Sequence, residues 1–206
     1  MITENAVLMR QARESLKGKW GLAIGTFLIY MLILGAVEIP IHLIPPAGII
    51  LIVIAGPLVV GLATFSLSIS RNEEASVGQL FLGFSKFGVS LAAYLLVTVF
   101  VFLWLLLLIV PGIIMSIAYS MTFFIIAEDS SISAMDAIRK SKMMMDGYKW
   151  KYFCLCLRFI GWALLCILTL GIGFLWLIPY MYISMAKFYE EVKALHEAKT
   201  NPQPAA

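Results

Sequence analysis

The chain has 206 residues, of which 62% are hydrophobic and only 13% charged, with a formal net charge of +3. Soluble domains carry roughly 45–50% apolar and about 25% charged residues. A chain of this length has too little interior to hide the excess. Composition therefore excludes an ordinary soluble domain and points to hydrocarbon as the main surroundings.

The leader from about Asn5 to Lys17 is polar and helix-patterned, with Leu8, Ala12 and Leu16 on one face. The first apolar run begins at Trp20 and lasts about 20 residues, the length a membrane-crossing helix needs. A cleavable signal has a shorter apolar stretch, about 7–15 residues, so Trp20–Ile39 is read as a first span, closed by Glu38, Pro40 and the Pro45-Pro46 pair. A second span is expected over Ala47–Ile69, followed by a polar break from Ser70 to Glu74. Val77, Leu80, Phe81 and Phe84 then fall at i, i+3, i+4 and i+7, the stripe of an amphipathic helix, with Ser76 and Gln79 at capping-box spacing.

The third run, Val89–Val110, is interrupted at Pro111-Gly112, and a fourth continues over Ile113–Ala127. A third leading segment places Met135, Ile138 and Met145 on a shared face behind a Ser133/Asp136 box. The fifth run is Tyr152–Leu170, turning through Gly171 to Gly173, and the sixth is Phe174–Phe188, with Pro179 inside it. The fourth and sixth are short. They cross fully if flanking residues or local thinning make up the length, and are re-entrant otherwise; full crossing is preferred, since irregular backbone at membrane depth needs shielding.

The expected fold is all-α: a polytopic transmembrane bundle of six spans in three hairpins, each preceded by a short cytoplasmic amphipathic helix. It forms a single membrane domain over residues 1–206, in units of about 3–70, 75–128 and 131–192 with a disordered tail from about 198 to 206. The first and third units also match as strings, Ala12-Arg13-Glu14-Ser15 against Ile138-Arg139-Lys140-Ser141, each followed by Gly and Lys-Trp. Of the 15 Lys and Arg, all but Arg158 precede the first span, lie between spans two and three or four and five, or follow the sixth. By the positive-inside rule that side is cytoplasmic, both termini included, in a cell membrane.

Chemistry-bearing residues are few. Cys154, Cys156 and Cys166 share one apolar stretch without zinc spacing and read as apolar fillers. Neither His42 nor His196 sits in a paired metal motif, and Glu38 and His42 are separated by a helix-ending Pro40. No nucleophile elbow or phosphate-cradling loop is present. No catalytic, cofactor or metal site is expected, and the chain reads as a non-enzyme.

Arg139, Lys140, Lys142, Lys149 and Lys151 surround the third leading segment and are candidate contacts for anionic headgroups, attracted at about 1 kcal/mol each near the surface. Topology alone also accounts for them. Arg158 lies about two turns inside the fifth helix, where it either snorkels or meets a lipid phosphate or an intramembrane partner. Pro111, Gly112, Tyr119, Pro179 and Tyr180 are candidate hinge or pore-lining residues, since broken helices can build transport sites. The partners expected are an anionic bilayer and a second copy or another membrane protein, and no nucleic acid. Three functions remain open, in order of preference: a membrane module engaging lipid or a partner at the cytoplasmic face; a small-solute transporter or channel acting as a homo-oligomer, with Ser116, Tyr119, Ser120, Thr122 and Tyr180 along its path; and a lipid-modifying enzyme, which would need a cavity holding two convergent titratable groups.

Several motifs resemble a known family when taken in order: Gly18-Lys19-Trp20, Phe81-x-x-Phe84, Ala137-Ile138-Arg139-Lys140-Ser141 with Gly147, Trp162, Gly171-Ile172-Gly173, and Pro179-Tyr180 ahead of Phe188-Tyr189. Over nearly its whole length the chain resembles the bacterial integral-membrane family known as domain-of-unknown-function family 975. That family looks distantly similar to the membrane portion of some glycerophosphodiester phosphodiesterases. The resemblance implies a six-helix membrane module and carries over no catalytic residue.

Overall fold

A computed structural model describes residues 3–41, 47–129 and 131–200, and these are helical with no strand. The elements are α1 (Asn5–Ser15), α2 (Trp20–Ile41), α3 (Ala47–Ser70), a 3₁₀ helix (Val77–Lys86), α4 (Phe87–Leu107), α5 (Ile109–Tyr119), α6 (Thr122–Glu128), α7 (Ala134–Met144), α8 (Lys149–Leu168) and α9 (Phe174–Thr200). Four stretches are long and apolar enough to cross a membrane: Gly48–Ser70, Val77–Leu107, Ile109–Glu128 and Lys149–Leu168. A fifth appears if α1 and α2, bent by 97° to one another, are taken together. α9 does not qualify, because Lys187, Glu190 and Glu191 fall inside an 18-residue window from its start.

The helices sort into inner and outer ones. Half of the Gly48–Ser70 window is buried (50%), and 44% of Ile109–Glu128, against 11% and 17% for the stretches that contain α4 and α8. α3 is the hub: α2, α4, α6, α9 and the 3₁₀ helix all pack on it. Each leading segment rests on helices of another part of the chain. α1 lies on α9, the 3₁₀ helix on α3, and α7 on α4 and α6.

The α3 seam closes backbone to backbone. A Cβ on Gly61 would sit 1.9 Å from the Leu80 carbonyl oxygen, and one on Gly83 would sit 1.9 Å from the Pro57 oxygen. Small residues let apolar helices approach this closely, which substitutes for the hydrophobic drive that lipid does not provide.

Four expectations are corrected. The break in the third run falls at Leu108, in extended backbone (φ −161°, ψ 142°), and not at Pro111-Gly112. Pro111 sits in the first turn of α5, where its missing N–H is no loss, so α5 begins earlier and the stretch through Glu128 reaches 20 residues. The Val77–Phe84 stripe is not one buried face, because the segment winds with a three-residue period. Leu80 and Gly83 face α3, while Phe81 and Phe84 are exposed. The Ser76/Gln79 box does not form, since Gln79 Nε2 donates instead to Ser68 Oγ at 3.0 Å. On α7, Met135 is exposed while Ile138 and Met145 are buried, although Asp136 N–H does donate to its Ser133 cap at 3.2 Å.

The first and third units do correspond, in a different register from the string match. Leu16 N–H bonds to Ala12 O, Lys17 to Glu14 and Lys19 to Leu16; Met145 N–H bonds to Ser141 O, Asp146 to Met143 and Tyr148 to Met145. Gly18 (φ +76°) and Gly147 (φ +81°) hold the same left-handed position in both. Ala12 therefore answers to Ser141, and the string match is out by nearly one turn, which hides the error because it keeps side chains on almost the same face. α9 continues as helix to Thr200. His42 and the Pro45-Pro46 turn lie outside the described residues, as do the side chains of Glu38 and Pro40.

Candidate functional site

Several charged side chains join helix ends to one another. Lys19 Nζ donates to the Glu73 carbonyl at 2.8 Å, joining the start of α2 to the end of α3. Lys86 Nζ donates to the Ile126 and Ala127 carbonyls at 2.9 and 3.2 Å, joining the start of α4 to the end of α6. Each lysine satisfies carbonyls near a helix C-terminus, where a cation is favoured.

An ion-pair network makes a further junction. The Arg71 guanidinium, just past α3, pairs with Glu128 at the end of α6 and with Glu190 of α9, the latter at 2.7 Å. Glu128 also takes Lys193 at 2.7 Å and accepts the Tyr189 hydroxyl at 2.7 Å. The side chains are between one-quarter and one-third exposed, and two cations balance two carboxylates. Burial disfavours the Arg71 charge, but hydrogen bonds and fields from Glu128 and Glu190 outweigh it and raise its pKa. With every charge matched, the cluster is a clamp joining the ends of α3 and α6 to α9 rather than an acid–base pair. A second pair, Lys151 with Glu191 at 2.7 Å, ties α8 to α9. Burial pushes the Glu191 carboxyl up, yet hydrogen bonds from Lys151 and Thr3 hold it below the ordinary glutamate range.

Sequence patterns alone did not reveal these networks, because the partners are distant in the chain. The available signal was a single charge at the boundary of each apolar run: Arg71, Glu128 and Glu190.

The basic set around α7 divides. Arg139 is exposed and only loosely paired with Asp136 at 3.6 Å, and Lys149 likewise with Asp146 at 3.6 Å. Lys142 is exposed and Lys140 half-buried. Lys151 departs from the set: its side chain is 15% exposed and already neutralised by Glu191. The buried face of α7 carries Ser141, whose hydroxyl donates to the Ala118 carbonyl at 2.8 Å and accepts from Met121 N–H at 3.2 Å. Those two groups flank the break between α5 and α6, so one side chain satisfies both sides of an interrupted helix.

Arg158 is exposed on α8 and forms no ion pair among the described residues. The hinge and pore candidates occupy different packing positions. Gly112 is a packing residue, its Cβ direction 2.4 Å from Leu105 across the α4–α5 turn, with Pro111 beside it. Tyr119 is buried against Phe100 at 6.2 Å. Ser116, Ser120 and Thr122 each donate to a carbonyl of their own helix stretch, at 2.7–2.8 Å. Pro179 is buried in α9, and Tyr180 donates from its hydroxyl to the Met9 carbonyl at 3.1 Å, fastening α1 to α9. Among the described residues no group of three or more His, Cys, Asp or Glu is placed to hold a metal ion.

No curated protein and no solved structure matches the chain. A family profile described as "Protein of unknown function (DUF975)" matches it over residues 1–115 and 105–196. With nearly its whole length matched, this helical membrane protein belongs to the DUF975 family.

Proposed function

We propose that the protein is a six-span, non-enzymatic module of the cell membrane that presents a basic cytoplasmic face to anionic lipid headgroups. One observation carries the reading: the exposed side of α7 holds Arg139 and Lys142 free or loosely paired, while its other side is built into the bundle through Ser141. A cation left unsatisfied next to a helix anchored this firmly suits a flat anionic surface better than a mobile tail would.

Two further features support the layout. The three leading segments rest in turn on the neighbouring unit, α1 on α9, the 3₁₀ helix on α3 and α7 on α4 to α6, as in a ring of three hairpins. Lys187 donates to the Ser70 carbonyl next to the Arg71 clamp, and Lys19 and Lys86 bond carbonyls at the ends of α3 and α6 beside it, which supports both termini on the cytoplasmic side.

The full chain, reconstituted with spin-labelled lipids, is the test. Replacing Arg139, Lys140 and Lys142 together by Gln is expected to reduce the preference for anionic over zwitterionic lipid about fivefold or more. An unchanged preference contradicts the reading. The transporter alternative has no comparable support: of its five path residues Tyr180 alone lines the groove described next.

A further inference from the structure

The ring has one open seam. α3 packs on the 3₁₀ helix and on α4, and α5 packs on α8, but α2 and α8 touch α9 from either side and make little contact with each other. Between them lies a groove of about 340 Å³, lined by Arg13, Trp20, Trp162, Trp176, Leu177 and Tyr180 among others. Its size falls in the range of about 300–1,000 Å³ typical of ligand pockets.

The lining is graded from end to end. Arg13 comes from α1, which turns away from α2 by 97° and is tied to Glu191 through Thr3 and to the Ser70 carbonyl through Ser15. Trp176 stands about four helical turns before Glu190 on α9, toward the opposite end. Arg13 is exposed and forms no ion pair among the described residues. Trp162 and Trp176 remain 54% and 50% exposed although they face into the groove. Three of the five tryptophans of the chain thus wall one cavity with a single unmatched cation at its head.

We propose that this groove takes one anionic phospholipid, its phosphate on the Arg13 guanidinium and an acyl chain along Trp162, Trp176 and Leu177. A guanidinium matches a phosphate with paired donors, and flat rings give a chain a smooth apolar wall. The Tyr180–Met9 hydrogen bond holds α1, and so Arg13, over the cavity. The site needs the end that carries the Arg71 clamp to lie at the headgroups, as in the function proposed above, but it does not involve the α7 surface.

The test uses the full chain with Trp104→Phe and Trp150→Phe, so that Trp20, Trp162 and Trp176 are the emitters. Detergent-solubilised protein is titrated with phosphatidylglycerol or phosphatidylcholine brominated on the acyl chains, and quenching is followed. The anionic lipid is expected to reach half-quenching at about fivefold lower mole fraction, the equivalent of about 1 kcal/mol for one basic group. Arg13→Gln should erase that difference and Arg13→Lys should keep most of it. Arg158→Gln should leave it unchanged. Equal quenching by both lipids, no quenching by either, or loss of the preference in the Arg158 variant as readily as in the Arg13 variant, would overturn the site. An intact Arg13-dependent preference alongside a failed α7 experiment would separate this site from the proposed function.

Discussion

Two seams of the same bundle are closed and opened by opposite means. Where α3 meets the 3₁₀ helix, Gly61 and Gly83 bring backbones so near that a single methyl has nowhere to go. Where α2 faces α8, tryptophans and an arginine stand where small residues would have allowed contact. In hydrocarbon, burying an apolar face gains little by itself, so tight packing and hydrogen bonds decide which helices associate. A seam walled mainly by large side chains stays open to lipid. The closed seam accounts for stability and the open one for recognition, and substitutions in the two should separate those properties.

The largest effect is expected at the closed seam. Gly61→Ala or Gly83→Ala places a Cβ against backbone, which cannot rotate away, so either should cost at least about 3 kcal/mol in detergent unfolding; a wild-type transition in both would remove the seam from the account. Next comes the clamp. Glu128→Gln leaves Arg71 and Lys193 short of their shared carboxylate in a partly buried place, expected at about 2 kcal/mol. Ser141→Ala orphans the Ala118 carbonyl and the Met121 N–H together, an expected loss of about 1–3 kcal/mol that would appear first as hydrogen exchange at the α5–α6 break. Trp176→Ala, at the open seam, should leave the unfolding midpoint nearly unmoved while weakening lipid quenching. If it destabilises as much as Gly61→Ala, the two seams are not different in kind.

The smallest effect concerns pH. The folded carboxyl of Glu191 is held below its unfolded value of about 4.3, so its contribution is complete above that pH and disappears as pH falls through the folded value. Glu191→Gln should flatten the acid limb of the stability curve by lowering stability near neutrality, and should change little once pH is below the folded value.

Much of the helical plan was readable from residue spacing. Leu8, Ala12 and Leu16 are all buried at 2% exposure or less, because α1 is a regular helix and its period matches the pattern sought. The reading failed where the backbone changed period: Phe81 and Phe84 turn outward once the segment winds as a 3₁₀ helix. It also failed at Pro111, where proline begins a helix rather than ending one. Arg71, Glu128 and Glu190 were visible as boundary charges, but their convergence depends on which helix ends meet, and local pattern does not encode that. The groove was least legible of all. It arises from contact that α2 and α8 do not make, and Arg13, Trp162 and Trp176 become neighbours only through α9.

Whether the apolar stretches cross the bilayer as paired helices with their basic ends together is decided most directly by cysteine accessibility. In a chain with Cys154, Cys156 and Cys166 replaced, single cysteines at Thr3, Ser131, Pro45 and Ile172 are labelled from either side of sealed vesicles by a membrane-impermeant maleimide. Thr3 and Ser131 should react from one side, and Pro45 and Ile172 from the other. Pro45 reacting from the same side as Ser131 would contradict the account.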